Sequence, residues 1–102
     1  RAQTQVMLTA LISGRAKRGD LSSAERWLHL AKDASVRPNS FTFSALISAA
    51  GRGGDLGLAE LWFERQRRAG VPPTIVTFTA LIKAAGEAGQ AARAEAWFRE
   101  MV

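Results

Sequence analysis

Three hydroxyl side chains recur at a constant spacing of 35 residues, at Thr9, Ser44 and Thr79. Each lies three residues after an apolar residue, and the residues four and eight positions after it are all polar or charged. The apolar members are Val6, Phe41 and Val76, and the basic members are Lys17, Arg52 and Lys83. Hydroxyl groups donate or accept hydrogen bonds, and cationic groups pair with anions. The repetition therefore favours a ladder of equivalent binding subsites.

Residues that could support catalysis form no comparable set. His29 is the only histidine and has no counterpart in the repeat, and the sequence contains no cysteine. A thiol nucleophile, a disulfide and a thiolate zinc site are therefore excluded. The glycines at 51–54 lack the Lys-Ser/Thr pair that a phosphate-binding loop requires. Glu25, Glu60 and Glu95 recur with the repeat and are expected to pair with nearby arginines. We expect no enzyme activity, no cofactor and no metal site here.

The 35-residue spacing extends over most of the chain. Three blocks align without gaps: VMLTALI at 6–12, FTFSALI at 41–47 and VTFTALI at 76–82. The same interval separates Ala24, Ala59 and Ala94, each followed by Glu; Trp27, Trp62 and Trp97; and Gly19, Gly54 and Gly89. A single short hairpin cannot bury its own apolar face, so a repeat of this length indicates stacked helical hairpins. No segment alternates as a strand would.

Each repeat is predicted to contain two helices joined by a glycine-containing turn. The first helix is expected to begin after a residue that can cap a helix N-terminus. These caps are Thr4, Asn39 and Thr74. Pro38 and Pro73 are expected to stop the helix that precedes them. The second helices are predicted at about 21–32, 56–69 and 91–102.

The first helices are predicted to have two faces of different composition. One face is apolar in every repeat and is predicted to be the core: Leu8, Leu11 and Ile12; Phe43, Leu46 and Ile47; Phe78, Leu81 and Ile82. The recurring alanines would allow close helix contact, and the tryptophans would fill the adjacent core. The opposite face carries the apolar, hydroxyl and basic residues. Val6, Phe41 and Val76 could bind a ligand, or wedge between neighbouring first helices, and the two roles are compatible.

The overall charge favours a polyanionic partner. The chain has 102 residues, 14 Lys and Arg against 9 Asp and Glu, a formal charge of +5 and 47% apolar residues. No apolar run approaches the ~18–20 residues of a membrane span, so no membrane insertion is expected. The sequence begins at Arg1 without a methionine and ends at Val102 within an amphipathic pattern. We therefore expect it to come from a longer solenoid, with any targeting peptide upstream or removed.

The repeat resembles that of the pentatricopeptide repeat family. The resemblance is carried by residues 76–82, 88–89 and 94–101 and by the linkers at 36–39 and 71–74, and it covers nearly the whole chain. The tetratricopeptide repeat fits less well because it usually has a 34-residue period and a different placement of Trp, Gly and Tyr. The resemblance implies an all-α solenoid of three helix-turn-helix repeats in a right-handed superhelix. Residues 1–5 would end a preceding repeat, followed by repeats at 6–40, 41–75 and 76–102, the last one truncated.

The same resemblance implies binding of single-stranded RNA in mitochondria or chloroplasts, with one base per repeat. Each base would lie between the apolar residues of successive first helices, which are Val6, Phe41 and Val76. Its edge would be read by the hydroxyl together with the last linker residue before the next repeat. The pairs are Thr9 with Asn39, Ser44 with Thr74, and Thr79 with a partner beyond Val102.

The residue types in these pairs imply a purine preference in repeats 1 and 2. Thr9 with Asn39 resembles the combination associated with adenine. In the pair of Ser44 with Thr74, the serine favours a purine. Phosphate contacts would come from Lys17, Arg52 and Lys83, whereas Glu87 departs from the pattern and would repel a phosphate.

A second function stays open on sequence grounds. The linker residues Asn39 and Thr74 are also helix caps, and the combination of Ser44 with Thr74 is uncommon in the family. The repeats could instead form a protein-docking scaffold in a large organellar assembly such as a ribosome. The two functions differ in what occupies the groove lined by Thr9, Ser44 and Thr79.

Overall fold

A computed structural model describes residues 2–102, with side chains described from Val6 onward apart from that of Leu21. The described residues form six helices and no strand. They are α1 (Ala2–Lys17), α2 (Leu21–Asp33), α3 (Ser40–Arg52), α4 (Leu56–Arg68), α5 (Ile75–Glu87) and α6 (Ala91–Met101). Three hairpins stack into a body of 40 × 26 × 17 Å. The predicted all-α helical repeat fold is confirmed. None of the described helices is both long and apolar enough to cross a membrane.

Side-chain caps start four of the six helices. Asn39 and Thr74 each form a capping box with the threonine three residues later, at the starts of α3 and α5. The carboxylates of Asp20 and Asp55 accept backbone N–H groups at the starts of α2 and α4. The predicted start of α1 after Thr4 is wrong, because that helix already begins at Ala2. No proline precedes Thr4 to disfavour helical backbone, and Ala and Gln are good helix formers.

Left-handed residues, and not the prolines, end the helices before each linker or turn. Gly19, Gly54 and Gly89 have φ of 80°, 78° and 73°, a conformation that glycine adopts without steric cost. Gly70, after α4, and Ser35, after α2, also have a positive φ. Each of those two helices ends five residues before its proline, Pro73 or Pro38, so the predicted role of the prolines as helix stops is wrong. A 2.8 Å hydrogen bond from the Val36 amide to the Ala31 carbonyl closes the end of α2.

Neighbouring repeats meet chiefly through α1, α3 and α5, which we call the first helices. The helix α3 packs against both α1 and α5. Its contact with α5 is close: a Cβ added to Gly51 would lie 2.7 Å from the Cβ of Ala84. The second helices α2, α4 and α6 are linked across repeats by long side chains. One such link is the ion pair of Arg65 with Glu25, at 3.1 Å.

The core confirms most of the predicted apolar face and corrects part of it. Ile12, Phe43, Leu46, Ile47 and Leu81 are buried. Trp62 is buried, while Trp27, Trp97, Leu8 and Phe78 pack at the edge of the core. The prediction was wrong for Leu11, which is 42% exposed although the equivalent Leu46 is fully buried. The reason is positional: Leu46 and its equivalent Leu81 are fully buried on helices that follow another repeat, whereas no described helix precedes α1.

Candidate functional site

An open cavity of about 240 Å³ lies along the first helices of repeats 1 and 2. Its lining residues are Lys17, Phe41, Ser44, Ala45, Ser48 and Arg52. All but Lys17 come from α3, and they occupy one face of that helix because their spacings of three, four and seven residues match its period. The structure thus brings together an aromatic ring, two hydroxyls and two cations that the sequence placed on one stripe.

The three apolar members of the stripe project into solvent. Val6, Phe41 and Val76 are 68%, 62% and 63% exposed. A residue that served only as a wedge between helices would be buried, so wedging does not explain these positions. An exposed apolar side chain recurring along one face can contact the flat face of a ligand ring.

The hydroxyls occupy a different environment from the one predicted. The stripe was expected to face away from the core, but Thr9 and Ser44 are buried, at 9% and 7% exposure. The Thr42 hydroxyl of α3 lies 3.3 Å from that of Thr9, and α5 packs against α3, the helix that carries Ser44. Thr79 is exposed because no further first helix covers it in this structure. The prediction was wrong because a helical wheel of a single helix does not show which neighbouring helices pack over its residues.

A short chain of hydrogen bonds connects Thr9 to Asn39. The Thr42 hydroxyl lies 3.3 Å from the Thr9 hydroxyl and 3.0 Å from Oδ1 of Asn39. The Thr42 backbone N–H also donates to Oδ1 of Asn39, at 3.0 Å. Both contacts use the carbonyl oxygen of the side-chain amide, which fixes the amide orientation. The exposed Asn39 therefore presents its NH₂ group, a hydrogen-bond donor, away from the helix.

The corresponding residues of repeats 2 and 3 are arranged differently. Ser44 donates to the carbonyl oxygen of Phe41 in its own helix, at 3.0 Å. Thr74 accepts the Thr77 backbone N–H at 3.3 Å, and its hydroxyl lies 3.2 Å from that of Thr77. Thr79 donates to the carbonyl oxygen of Ile75 at 2.6 Å. The linker residue of the second repeat, Thr74, has a single hydroxyl, and that hydroxyl already caps a helix. The linker residue of the first repeat, Asn39, caps with its carbonyl oxygen and keeps its amide NH₂ for other contacts.

Two cations converge at one end of the cavity. Arg52 donates from Nη2 to the carbonyl oxygen of Lys17, at 3.5 Å, and both side chains are exposed. They lie at the C-terminal ends of α3 and α1, where a cation is favoured by the helix dipole and can also reach an anion. Lys83 is exposed on α5, while Glu87 takes the equivalent position at the end of that helix. The cationic end is therefore confined to repeats 1 and 2.

Sequence reasoning overlooked Thr42, although it links both members of the first pair. The indication was present, because a threonine recurs three residues after each linker cap, at Thr42 and Thr77. That spacing is the one a capping box requires. Both threonines are completely buried.

The recurring glutamates lie away from this cavity, on the second helices. Glu25 pairs with Arg65 of the next repeat, and Glu60 pairs with Arg93, while Glu95 pairs with Arg99 of its own helix. The prediction that they pair with arginine is confirmed. Glu60 also accepts from Trp97 Nε1 at 2.8 Å.

The pKa of Glu60 follows from these contacts. Its partial burial would raise the pKa, but hydrogen bonds from Arg93 and Trp97 outweigh burial and lower the pKa below its ordinary value. The hydrogen bond with Glu60 also raises the pKa of Arg93.

His29 is exposed on α2. Within residues 2–102, the side chains that the structure describes include no group of three or more that could hold a metal ion.

Comparison with protein families agrees with this geometry. The model of the pentatricopeptide repeat domain matches residues 4–53 and 49–88. The model of the single PPR repeat matches residues 76–102. Together the matches cover nearly the whole chain. No curated protein matches the sequence.

Proposed function

The chain belongs to the pentatricopeptide repeat family of RNA-binding repeat proteins, and on that premise we propose that its first helices bind single-stranded RNA with one base per repeat. The observation that carries the proposal is the cavity that joins Phe41 to the cations Lys17 and Arg52. It combines a surface for stacking a base with charges that can contact phosphates. Stacking and phosphate contacts are the two main sources of affinity for single-stranded nucleic acid.

Base stacking would use the exposed apolar residues. A base in repeat 1 would lie between Val6 and Phe41, and a base in repeat 2 between Phe41 and Val76. Phe41 would thus contact both bases. Since each of these side chains is more than half exposed in the unliganded chain, binding would remove apolar surface from water without rearranging the core.

Base selection would be strongest in repeat 1. The Asn39 amide offers donors, and the Thr9 hydroxyl can accept or donate. Adenine presents a ring-nitrogen acceptor beside its exocyclic amino donor, which matches a pair of one donor and one acceptor. In repeat 2 the smaller Ser44 leaves room for a purine, in keeping with the purine preference that the sequence predicts. We propose Lys83 as a third phosphate contact, weakened by the nearby Glu87 charge.

We further propose that this activity operates in a mitochondrion or chloroplast, where it would serve RNA processing, stability, editing or translation. The support is the usual location of the family, together with the net charge of +5 that favours a polyanion. Expression of the complete natural protein with a fluorescent tag would test the location. A purely cytosolic signal would contradict it.

The proposal is tested by fluorescence anisotropy of labelled oligo(A), oligo(U) and oligo(C) titrated with the chain at two salt concentrations. We expect oligo(A) to bind most tightly and binding to weaken with salt. Substituting Lys17 and Arg52 together by Ala should reduce the salt slope by about 1.4, because each phosphate contact on a single strand contributes about 0.7. The matched control is Arg68→Ala, which removes an exposed arginine from the end of α4, outside the cavity.

The stacking step has its own pair of variants. Phe41→Ala should weaken binding by at least about 5-fold, because it removes about 1–3 kcal/mol for each base that the ring contacts. Leu61→Ala removes a comparable exposed apolar group from α4 and should leave affinity unchanged. If no single-stranded RNA bound in a salt-dependent way, RNA binding would be refuted. That result would favour the alternative in which the first helices dock a protein of a larger assembly.

A further inference from the structure

The middle of the cavity along α3 is bounded by small side chains. Phe41 lies towards one end and Arg52 towards the other, and Ala45 and Ser48 lie between them. Ser44, Ser48 and Arg52 are four residues apart, so they follow one another on one face at intervals of about 6 Å along the helix. The cavity therefore runs from an aromatic ring to a guanidinium group over a wall of alanine and serine.

Ser48 differs from Ser44 and Thr79 in having no hydrogen bond to its own helix. Serine and threonine inside a helix can donate to a carbonyl oxygen three or four residues earlier. Ser44 donates in this way to Phe41, and Thr79 to Ile75. Among the described residues, the hydroxyl of Ser48 has no hydrogen-bond partner, although its side chain is half-buried at the cavity wall. It can donate to a ligand or accept from one without breaking an internal bond.

The order of these groups along α3 matches the order of the parts of a nucleotide, in which the ribose joins the base to the phosphate. Under the proposed function, on which this inference rests, the base of repeat 2 lies against Phe41 with its edge at Ser44. A phosphate of the same strand lies at Arg52. The ribose between them then passes the part of the wall where Ser48 lies.

We infer that Ser48 forms a hydrogen bond with the ribose 2′-hydroxyl of the nucleotide in repeat 2, and that this bond makes the chain select RNA over single-stranded DNA. The 2′-hydroxyl is the group that distinguishes the two nucleic acids, and it can donate as well as accept. Either direction suits the unengaged hydroxyl of Ser48. Ser48 thus selects the sugar, while Ser44 and Thr74 select the base.

The equivalent positions in the other repeats confine this contact to repeat 2. Ser13 takes the place in repeat 1, but it is only 6% exposed and its Oγ atom is buried. Lys83 takes the place in repeat 3, where its exposed ammonium group on a flexible four-carbon stem suits a phosphate. Of the three positions, only Ser48 presents an accessible hydroxyl, so the selection for RNA amounts to one hydrogen bond.

The inference is tested with labelled oligo(A) and with oligo(dA) of the same length, titrated with the chain and followed by fluorescence anisotropy. The two ligands have the same base, charge and length, so stacking, base reading and phosphate contacts are matched between them. The unmodified chain should bind oligo(A) more tightly by at least about 2- to 12-fold, the range expected for one neutral hydrogen bond.

Ser48→Ala removes the protein side of the same bond. It should weaken oligo(A) by about 2- to 12-fold and leave oligo(dA) unchanged, because the two deletions remove one shared interaction. Ser48→Thr keeps a hydroxyl and should keep the preference for oligo(A). Ser22→Ala is the matched control, because it removes an exposed hydroxyl of α2 outside the cavity. Alanine favours helix, so the Ser48→Ala chain should stay folded, which circular dichroism verifies.

The outcomes separate this inference from the proposed function. Equal affinity of the unmodified chain for oligo(A) and oligo(dA) would overturn sugar selection while leaving single-strand binding in place. A preference for oligo(A) that persists undiminished in Ser48→Ala, or a loss of affinity for both ligands alike in that variant, would overturn the role of Ser48. If neither ligand bound, the proposed function would fail and this inference would fail with it.

Discussion

The close contact between α3 and α5 predicts the effect of Gly51→Ala on stability. The added Cβ would lie 2.7 Å from the Cβ of Ala84 and 3.3 Å from its Cα. Carbon atoms pack best at about 3.5–4.0 Å, so the two helices would have to separate by roughly 1 Å. Overpacking of this kind lowers the free energy of unfolding by about 1–3 kcal/mol. Replacing a glycine inside a helix by alanine raises it by about 1 kcal/mol. We expect a net loss of about 0–2 kcal/mol in the free energy of unfolding.

The repeat supplies a matched control for this substitution. Gly86 occupies the same position one repeat later, where an added Cβ would meet nothing within 4 Å. Gly86→Ala should therefore stabilise the chain by about 1 kcal/mol through helix propensity alone. The two variants should differ by about 1–3 kcal/mol, measured by urea denaturation followed by circular dichroism of dilute protein.

A double variant separates crowding from other causes. Ala84→Gly removes the methyl group that the new Cβ would meet, so in the Gly51→Ala background it should cost less than it does alone. Equal stabilisation by Gly51→Ala and Gly86→Ala would refute the reasoning, because it would mean that the first helices do not approach as closely as the structure shows.

Other contacts give predictions that the same denaturation assay can check. Phe63→Ala should cost about 3–5 kcal/mol because that ring is fully buried, whereas Phe98→Ala should cost much less; similar losses would contradict the assignment of Phe98 to an exposed face. Glu60 has a lowered pKa in the folded chain, so its contribution to stability is present above the ordinary value of 4.5 and is lost as the pH falls through the lower folded value. Glu60→Gln should remove that part of the pH dependence, and an unchanged pH profile would exclude this contribution. Asn39→Ala should cost about 1 kcal/mol by removing a cap, while Asn39→Asp should keep the cap but replace the NH₂ donor by an acceptor and so, in the anisotropy assay, weaken the preference for adenine.

The sequence was sufficient to predict the caps of α3 and α5 and the glycine turns, although the local predictions for Thr4 as a cap and for Pro38 and Pro73 as helix stops were wrong. The caps Asn39 and Thr74 start helices where the sequence places them, because an oxygen on a short side chain satisfies the free N–H groups of the first turn. The glycines of the turns have the left-handed backbone that they were expected to supply. These predictions succeeded because each depends on a few consecutive residues.

Predictions failed where a residue depends on its position in the stack. Leu11 and Leu46 have the same residue type and the same place in the repeat, yet one is exposed and the other buried. The burial of Thr9 could not be read from a helical wheel either, because the helix that covers it begins about 30 residues later in the sequence. A repeat pattern defines the faces of one unit, while burial is set by which faces another unit covers.

The helix-capping role of Asn39 and its proposed role in base reading are complementary. Capping uses the carbonyl oxygen of the side chain, and base recognition would use the NH₂ group on its other side. The cap holds the amide in one orientation before any ligand arrives, so less conformational entropy would be lost on binding. Thr74 caps α5 with its only hydroxyl and has no second polar group to offer. Helix capping would therefore sharpen base discrimination in repeat 1 and weaken it in repeat 2, which makes Asn39 the residue on which selectivity should chiefly depend.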